Sequence, residues 1–425
     1  MLTICQSGKN RTEFEYTEVN AVVCLYHCPA PAGLFVKEGF TRLWSNASQW
    51  PNQTVPQPMD NVTINGNWTV LLDVDPAPLN YLIIDGTLIA DDTRDVNVTA
   101  RSIFIRAGNV TAGSPTNPFM HKLTIQVSNT KEDPGWYIDP LVAGNKYIVV
   151  TGSLNLYGVA PTTVTTTLTA PASMGDQVIN VASSTNWTVG DVLALSPSYG
   201  NADEYEQVTI TAINNASSIS VTPLQYNHYG STSPISTPYG SINVNTFVGH
   251  LNRNIQIVPG PDTAWGVNLL VYGFMDGEVN RVGSVNLVGV EIMNGGQYDT
   301  TASALQFLNV MNGNYSSLIK DTSFVNCRDY CVNIDNIMNV TLDNNVFYNG
   351  RVFGVKAVTL KNFLFTNNLI IGIIDRPSMA QGTELVACFA TFDYVDPTTD
   401  NVAINNNFCL GSEGHGFAFP HIQCD

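Results

Sequence analysis

The sequence predicts an all-β chain whose C-terminal part coils into a parallel β-helix, and three observations carry that expectation. Short β-branched runs that alternate with polar residues and break at Gly, Pro or Asn recur throughout, whereas 3.6-residue periodicity with helix caps is scarce. The stretch CVNIDNIMNVTLDNNVFYNG (331–350) threads asparagine, a poor strand former, through a strand-like pattern. Asn-Asn pairs then return in phase: VTLDNNVFYN (340–349), FLFTNNLIIG (363–372) and VAINNNFCLG (402–411) align, with SLIKDTSFVN (317–326) and VNLVGVEIMN (285–294) as looser copies.

Taking Leu342 as marker, its equivalents are Leu287, Ile319, Phe365 and Ile404, at steps of 32, 23, 23 and 39 residues. That is a 23-residue turn with two insertions, the signature of a solenoid. One turn per rung, stacked about 4.8 Å apart, puts Asn344, Asn367 and Asn406 in one column and Asn345, Asn368 and Asn407 in the next. Asparagine suits such corners because it tolerates a left-handed backbone and bonds to its own kind in a stack. A β-sandwich with Asn-rich hairpins predicts neither the period nor the columns.

Upstream, NVTINGNWTVLLDV (61–74), YLIIDGTLIADD (81–92), RSIFIRAGNVTAG (101–113) and HKLTIQV (121–127) each alternate for a few residues and turn at Gly or Asn. Between the two regions, QVINV, VLALS, EQVTITAI and SISVTPL read as a small bridging β unit. The expected organisation is an N-terminal extension (1–34), a β-domain (35–158), the bridging unit (159–230) and the β-helix (231–425).

Composition narrows the function. Of 425 residues 12% are charged, against roughly 25% in an average soluble protein, so the surface stays wet through hydroxyls and amides. Hydrophobic content of 44% excludes disorder. With 18 Lys and Arg against 35 Asp and Glu, a net charge of −17 and no cationic cluster, nucleic acid is excluded as a partner and strongly anionic glycans are disfavoured. No run of roughly 18 apolar residues spans a membrane.

Eight cysteines (Cys5, Cys24, Cys28, Cys327, Cys331, Cys388, Cys409, Cys424) lack zinc-site spacing and are disulfide candidates, with Cys409 and Cys424 the most inviting pair. Sequons at Asn10, Asn46, Asn52, Asn61, Asn67, Asn97, Asn109, Asn186, Asn215, Asn314 and Asn339 support an exported glycoprotein. The opening MLTICQSGKN shows no signal peptide, so the chain is expected to be an excerpt or processed part of a longer secreted or membrane-anchored protein.

Two stretches carry a family resemblance. LFVKEGFTRLWSNASQWPNQTVPQPMDNVTINGNWTVLLDVDPAPLNYLIIDGTLIADD, continuing to about residue 158, resembles the G8 domain, with Gly33, Gly39, Gly66, Gly86, Gly108, Gly113, Gly152 and Gly158 as its candidate glycines. NWTVGDVLAL (186–195), LNRNIQIVPG (251–260), GGQYD (295–299) and CLGSEGHGFAFPHIQC (409–424) are similar to the sequence that follows G8 in the fibrocystin family. The resemblance covers roughly 30–425 and implies a G8 domain leading into a right-handed parallel β-helix on a large extracellular protein. The hyaluronan-processing relatives share this architecture and carry a Pro-Ile-His-Phe-His motif. The matching stretch here is ALQFLN (304–309), with Gln306 and Leu308 where the two histidines would stand, and Asp335 replaces a third. Those losses remove groups able to bind metal or move protons near neutral pH.

Other chemistry-bearing residues are weaker candidates. Ser412, Glu413 and His415 are too close in sequence to converge as a triad and read as a turn. Glu291, Asp321, Asp335 and Asp343 would serve a glycosidase only if two of them faced one groove; they read as surface carboxylates. Asp375 and Arg376 read as a local ion pair. Trp44, Trp50 and Trp68 are either core or sugar-stacking platforms. No D-x-D-x-D-G calcium loop occurs, and no catalytic, metal or cofactor residue is assigned beyond expected N-linked glycans. The expectation is a non-enzymatic structural or adhesive extracellular glycoprotein module, partnered by copies of itself or neighbouring extracellular domains, with glycans a further partner. The alternatives are a hyaluronidase-like, polysaccharide-cleaving enzyme and a carbohydrate-binding receptor segment.

Overall fold

A computed structural model describes residues 41–419 apart from 139–140, 199–200, 232–233, 239, 244, 277–278, 301, 312–313, 377–384 and 393–399. The extension at 1–34, with Asn10, Cys5, Cys24 and Cys28, lies outside these residues, as do Gly33, Gly39 and Cys424. Among the described residues, 26 strands belong to one sheet system that winds as a parallel coil with three faces.

The marker column predicted from the repeat is a continuous register on the second face. Leu287 pairs with Ile319, Ile319 with Leu342, Leu342 with Phe365, and Phe365 with Ile404. The column extends upward through Leu156 to Ala112, inside the region that resembles G8. The G8 strands and the C-terminal strands therefore stack in one coil around one core, which runs from Trp44 to Phe389. Within it, Phe324 and Phe347 lie parallel at 4.7 Å, one rung apart.

Two kinds of corner hold the rungs in phase. In the upper coil the corners are glycines: a Cβ on Gly108 would stand 2.2 Å from the Gly86 carbonyl oxygen, and one on Gly152 2.3 Å from that of Gly108. Only a bare Cα allows such an approach. In the lower coil the corners are asparagines. Asn344, Asn367 and Asn406 all have positive φ, at 55, 58 and 54°. Their neighbours turn inward. Asn345 Nδ2 donates to Asn368 Oδ1 and Asn368 Nδ2 to Asn407 Oδ1, each at 2.9 Å. Each Nδ2 also donates to a carbonyl of the rung before, from Asn345 to Ile319 (3.0 Å) and from Asn368 to Leu342 (3.0 Å). Asn345 and Asn368 are fully buried, so these amides are satisfied by one another and by the backbone.

A second, six-stranded sheet with its own core around Trp187 is inserted between the rung ending at Tyr157 and the one beginning at Ile255. The bridging unit expected over 159–230 is thus longer than its sequence boundary, because Phe247–His250 pairs antiparallel with Thr165–Thr167 and Val192–Leu195. It docks on the third face through Val164, Ala194 and Leu251 against Val346, Tyr348 and Ile371.

The disulfides are Cys327–Cys331 and Cys388–Cys409. Cys409 therefore does not pair with Cys424: it faces Cys388 across the coil interior, with Cα atoms 5.9 Å apart. Trp44, Trp50 and Trp68 pack edge to face at the first rungs, with Trp44 fully buried, so they are core rather than sugar platforms. Replacing Asn368 by Ala orphans the Leu342 carbonyl and the Asn345 amides and is expected to cost about 3 kcal/mol in chemical unfolding. Asn367→Ala, which loses an outward amide and strains one left-handed residue, is expected to cost about 1 kcal/mol.

Candidate functional site

Three places bring chemistry-bearing residues together. The first is the face where the hyaluronan-processing relatives would hold their histidines. Gln306 pairs with Asn333 and Leu308 with Asp335 on adjacent rungs, so the three matching positions do share one face. Their side chains do other work. Gln306 Oε1 accepts from Asn268 Nδ2 at 3.2 Å, Leu308 packs on the cluster of Tyr147, Leu270 and Tyr272, and Asp335 is exposed. Among the described residues no group of three or more His, Cys, Asp or Glu side chains is placed to hold a metal ion.

The second place lies where the inserted unit rejoins the coil. Arg253 is almost wholly buried and donates from Nε to the Asp321 carbonyl (2.6 Å) and from Nη1 to the Asn252 carbonyl (2.6 Å) and His250 Nδ1 (3.1 Å). A guanidinium has no acceptor, so Nδ1 accepts and Nε2 carries the proton it donates to Asp191 Oδ2 (2.9 Å). Burial lowers the pKa of Arg253 to about 10 and holds that of His250 below its ordinary value, against the opposing hydrogen bond that the ring donates to Asp191. Glu291 is sealed here too. Its Oε2 accepts the Arg253 backbone N–H (3.2 Å) and Gln256 Nε2 (2.9 Å), and burial raises its pKa.

The third place is an open cleft of about 620 Å³ between the inserted unit and the asparagine corner. Thr165–Thr167 and Phe247 face Asn344, Asn367, Asn406 and Phe408 across it. Lys320 Nζ pairs with Asp343 Oδ2 at 3.0 Å inside the cleft. Burial would raise the Asp343 pKa, but hydrogen bonds from Asn367, Lys320 and Thr366 outweigh it and hold the carboxyl below its ordinary value. Asp321 is raised by burial while accepting from Asn344 Nδ2 at 2.6 Å.

Of the four carboxylates singled out in the sequence, Asp321 and Asp343 are near enough to interact, yet neither is left free to act as a catalytic pair with the other. Glu291 is enclosed, Asp321 and Asp343 are tied to corner amides, and Asp335 stands on another face. Ser412 Oγ donates to the His415 backbone carbonyl (2.9 Å), not to its ring, which makes that segment a turn. Arg376 does not pair with Asp375. Its Nη2 donates to both carboxylate oxygens of Asp329 (2.7 and 2.9 Å), a nearly buried group that needs a cation. Sequence reasoning missed Asp329, whose partner Arg376 lies 47 residues away, and Arg253, which reaches the Asp321 carbonyl across 68 residues.

The G8 domain family matches residues 49–169. Mouse fibrocystin-L is 28% identical over 338 residues, which are 72% of this chain and 8% of that protein. Mouse fibrocystin is 28% identical over 399 residues, 91% of this chain and 9% of that one. Residues 49–169 thus match a G8 domain, and the chain is similar to the fibrocystins over most of its length. It spans under a tenth of the length of these fibrocystins. Protein rliB of Dictyostelium discoideum is 25% identical over 412 residues, covering 89% of this chain and 34% of that protein. The matched G8 segment contains the glycine corners and the first rungs of the coil.

The sequons divide by structure. Asn52, Asn61, Asn67, Asn97, Asn186, Asn215 and Asn314 are exposed, whereas Asn46, Asn109 and Asn339 are half-buried. Asn109 and Asn339 also belong to side-chain ladders: Asn109 donates to Thr111 Oγ1 and accepts from Asn155, and Asn339 accepts from Asn362. Glycopeptide mass spectrometry is expected to find glycans on Asn52, Asn61, Asn67, Asn97 and Asn215 and none on Asn109 or Asn339.

His250 yields a pH dependence. The folded chain takes up this proton only below the ordinary value, while the unfolded chain takes it up near about 6.5. Its stabilising contribution is therefore full above that pH and is lost as pH falls through it towards the folded value. Melting temperature is expected to drop between about pH 7.5 and about pH 5.5, and to drop less in His250→Asn, which stays neutral across that range.

Proposed function

We propose that the chain is a non-enzymatic extracellular glycoprotein module, a rigid structural or adhesive length of a larger surface protein or filament. The observation that carries this reading is the first face. The coil holds positions 306, 308 and 335 together on adjacent rungs, yet fills them with an amide already bonded, a packed leucine and a solvated carboxylate. None of these supplies the imidazole chemistry of the hyaluronan-processing relatives.

In this reading the partners are copies of this chain or neighbouring extracellular domains, stacked through the parallel rungs of the coil. Fibrocystin relatives, the two disulfides and the exposed sequons favour the secretory pathway and the cell surface.

Negative-stain electron microscopy of the native, glycosylated protein is expected to show rods joined end to end, with a repeat matching one chain. Separate monodisperse particles, together with release of reducing ends from hyaluronan, would contradict the proposal.

A further inference from the structure

We infer that the cleft between the inserted unit and the asparagine corner is a binding site for a neutral oligosaccharide. This goes beyond the structural reading and stands independently of it.

One wall of the cleft is a row of amides at rung spacing, about 4.8 Å. Asn344 and Asn367 turn their Nδ2 groups back to Asp321 (2.6 Å) and Asp343 (2.8 Å). Their Oδ1 atoms stay available as acceptors, and among the described residues no side-chain hydrogen bond involves Asn406. Thr165–Thr167 supplies hydroxyls from the opposite wall. Hydroxyl and amide groups on facing walls are what the ring hydroxyls of a sugar chain pair with.

The cleft also offers an apolar platform. Phe408 is 47% exposed, an unusual degree for a phenylalanine, and its ring stands 4.4 Å from that of Phe247, tilted by 34°. A pyranose presents a C–H face to such a ring while its hydroxyls point sideways, and aromatic residues with one wet face suit that geometry.

Charge selects the class. The cation in the cleft, Lys320, is neutralised by Asp343, and the whole chain carries −17. Sulfated or uronic-acid polymers would meet repulsion without a compensating patch, so a neutral chain of hexoses fits. Such a chain is presented either by a separate polysaccharide or by the protein's own N-glycans, which share this chemistry.

The test is saturation-transfer NMR on the full chain, before and after enzymatic removal of its N-glycans. Mannohexaose, cellohexaose and maltohexaose serve as neutral probes and a hyaluronan hexasaccharide as the anionic one. At least one neutral probe is expected to bind saturably. Affinity is expected to fall about tenfold in Phe408→Ala and in Asn406→Gly, which keeps the left-handed corner while removing the amide. Both variants are expected to melt like the parent. Binding that appears only after deglycosylation identifies the protein's own glycans as the resident ligand. The inference is overturned if no neutral probe binds in either state, if only hyaluronan binds, or if both substitutions leave binding unchanged.

Discussion

The structure rests on the phase of its rungs, and the phase rests on what stands at the corners. A parallel coil gains its backbone hydrogen bonds only from the turn above and the turn below, so a slip of one residue turns every core side chain outward. In the lower coil the buried amides of Asn345 and Asn368, with the half-buried amide of Asn407, forbid that slip. Each accepts from its neighbour or donates to it, and each also closes on a carbonyl of the preceding rung. Moving one rung would leave several polar groups unpaired in the interior, where the penalty is large. In the upper coil the same duty falls to Gly86, Gly108 and Gly152, where close backbone contact replaces side-chain bonding.

This division explains how one coil accommodates two kinds of sequence. The G8 segment is glycine-cornered and the C-terminal segment asparagine-cornered, yet the column from Ala112 through Leu156, Leu287 and Leu342 crosses from one to the other unbroken. Insertions are tolerated because they leave from corners and return to the same register. The largest of them folds on its own core and lies against the third face. Arg253 sits at its point of return, with Glu291, Asp321 and His250 around it, so the seam is polar and its geometry is set by hydrogen bonds as well as by packing.

What was legible in the sequence was what repeats. The 23-residue step placed Leu342 and its equivalents in register and assigned the Asn344 and Asn345 columns to the corner, because stacking imposes a period on the chain. Motif matching located Gln306, Leu308 and Asp335 along the chain, and the register of the rungs is what brings them onto one face. What was not legible has no period. The Phe247–His250 strand alternates like a rung, and only its antiparallel partners show that it belongs to the inserted unit. Arg376 finds Asp329 across 47 residues, and Cys388 finds Cys409 through the coil interior. Each of these is a single long-range contact that depends on the fold being complete.

The G8 segment and the C-terminal rungs form one continuous coil. Native-state hydrogen exchange, read by mass spectrometry across the whole chain, tests it most directly. Slow-exchanging amides are expected to run without a break from the strand Leu79–Ile84 to the strand Leu369–Ile374, with protection on both sides of the inserted unit rising and falling together as denaturant is added. A G8 segment that loses its protection as a separate unit while the later rungs keep theirs would contradict it.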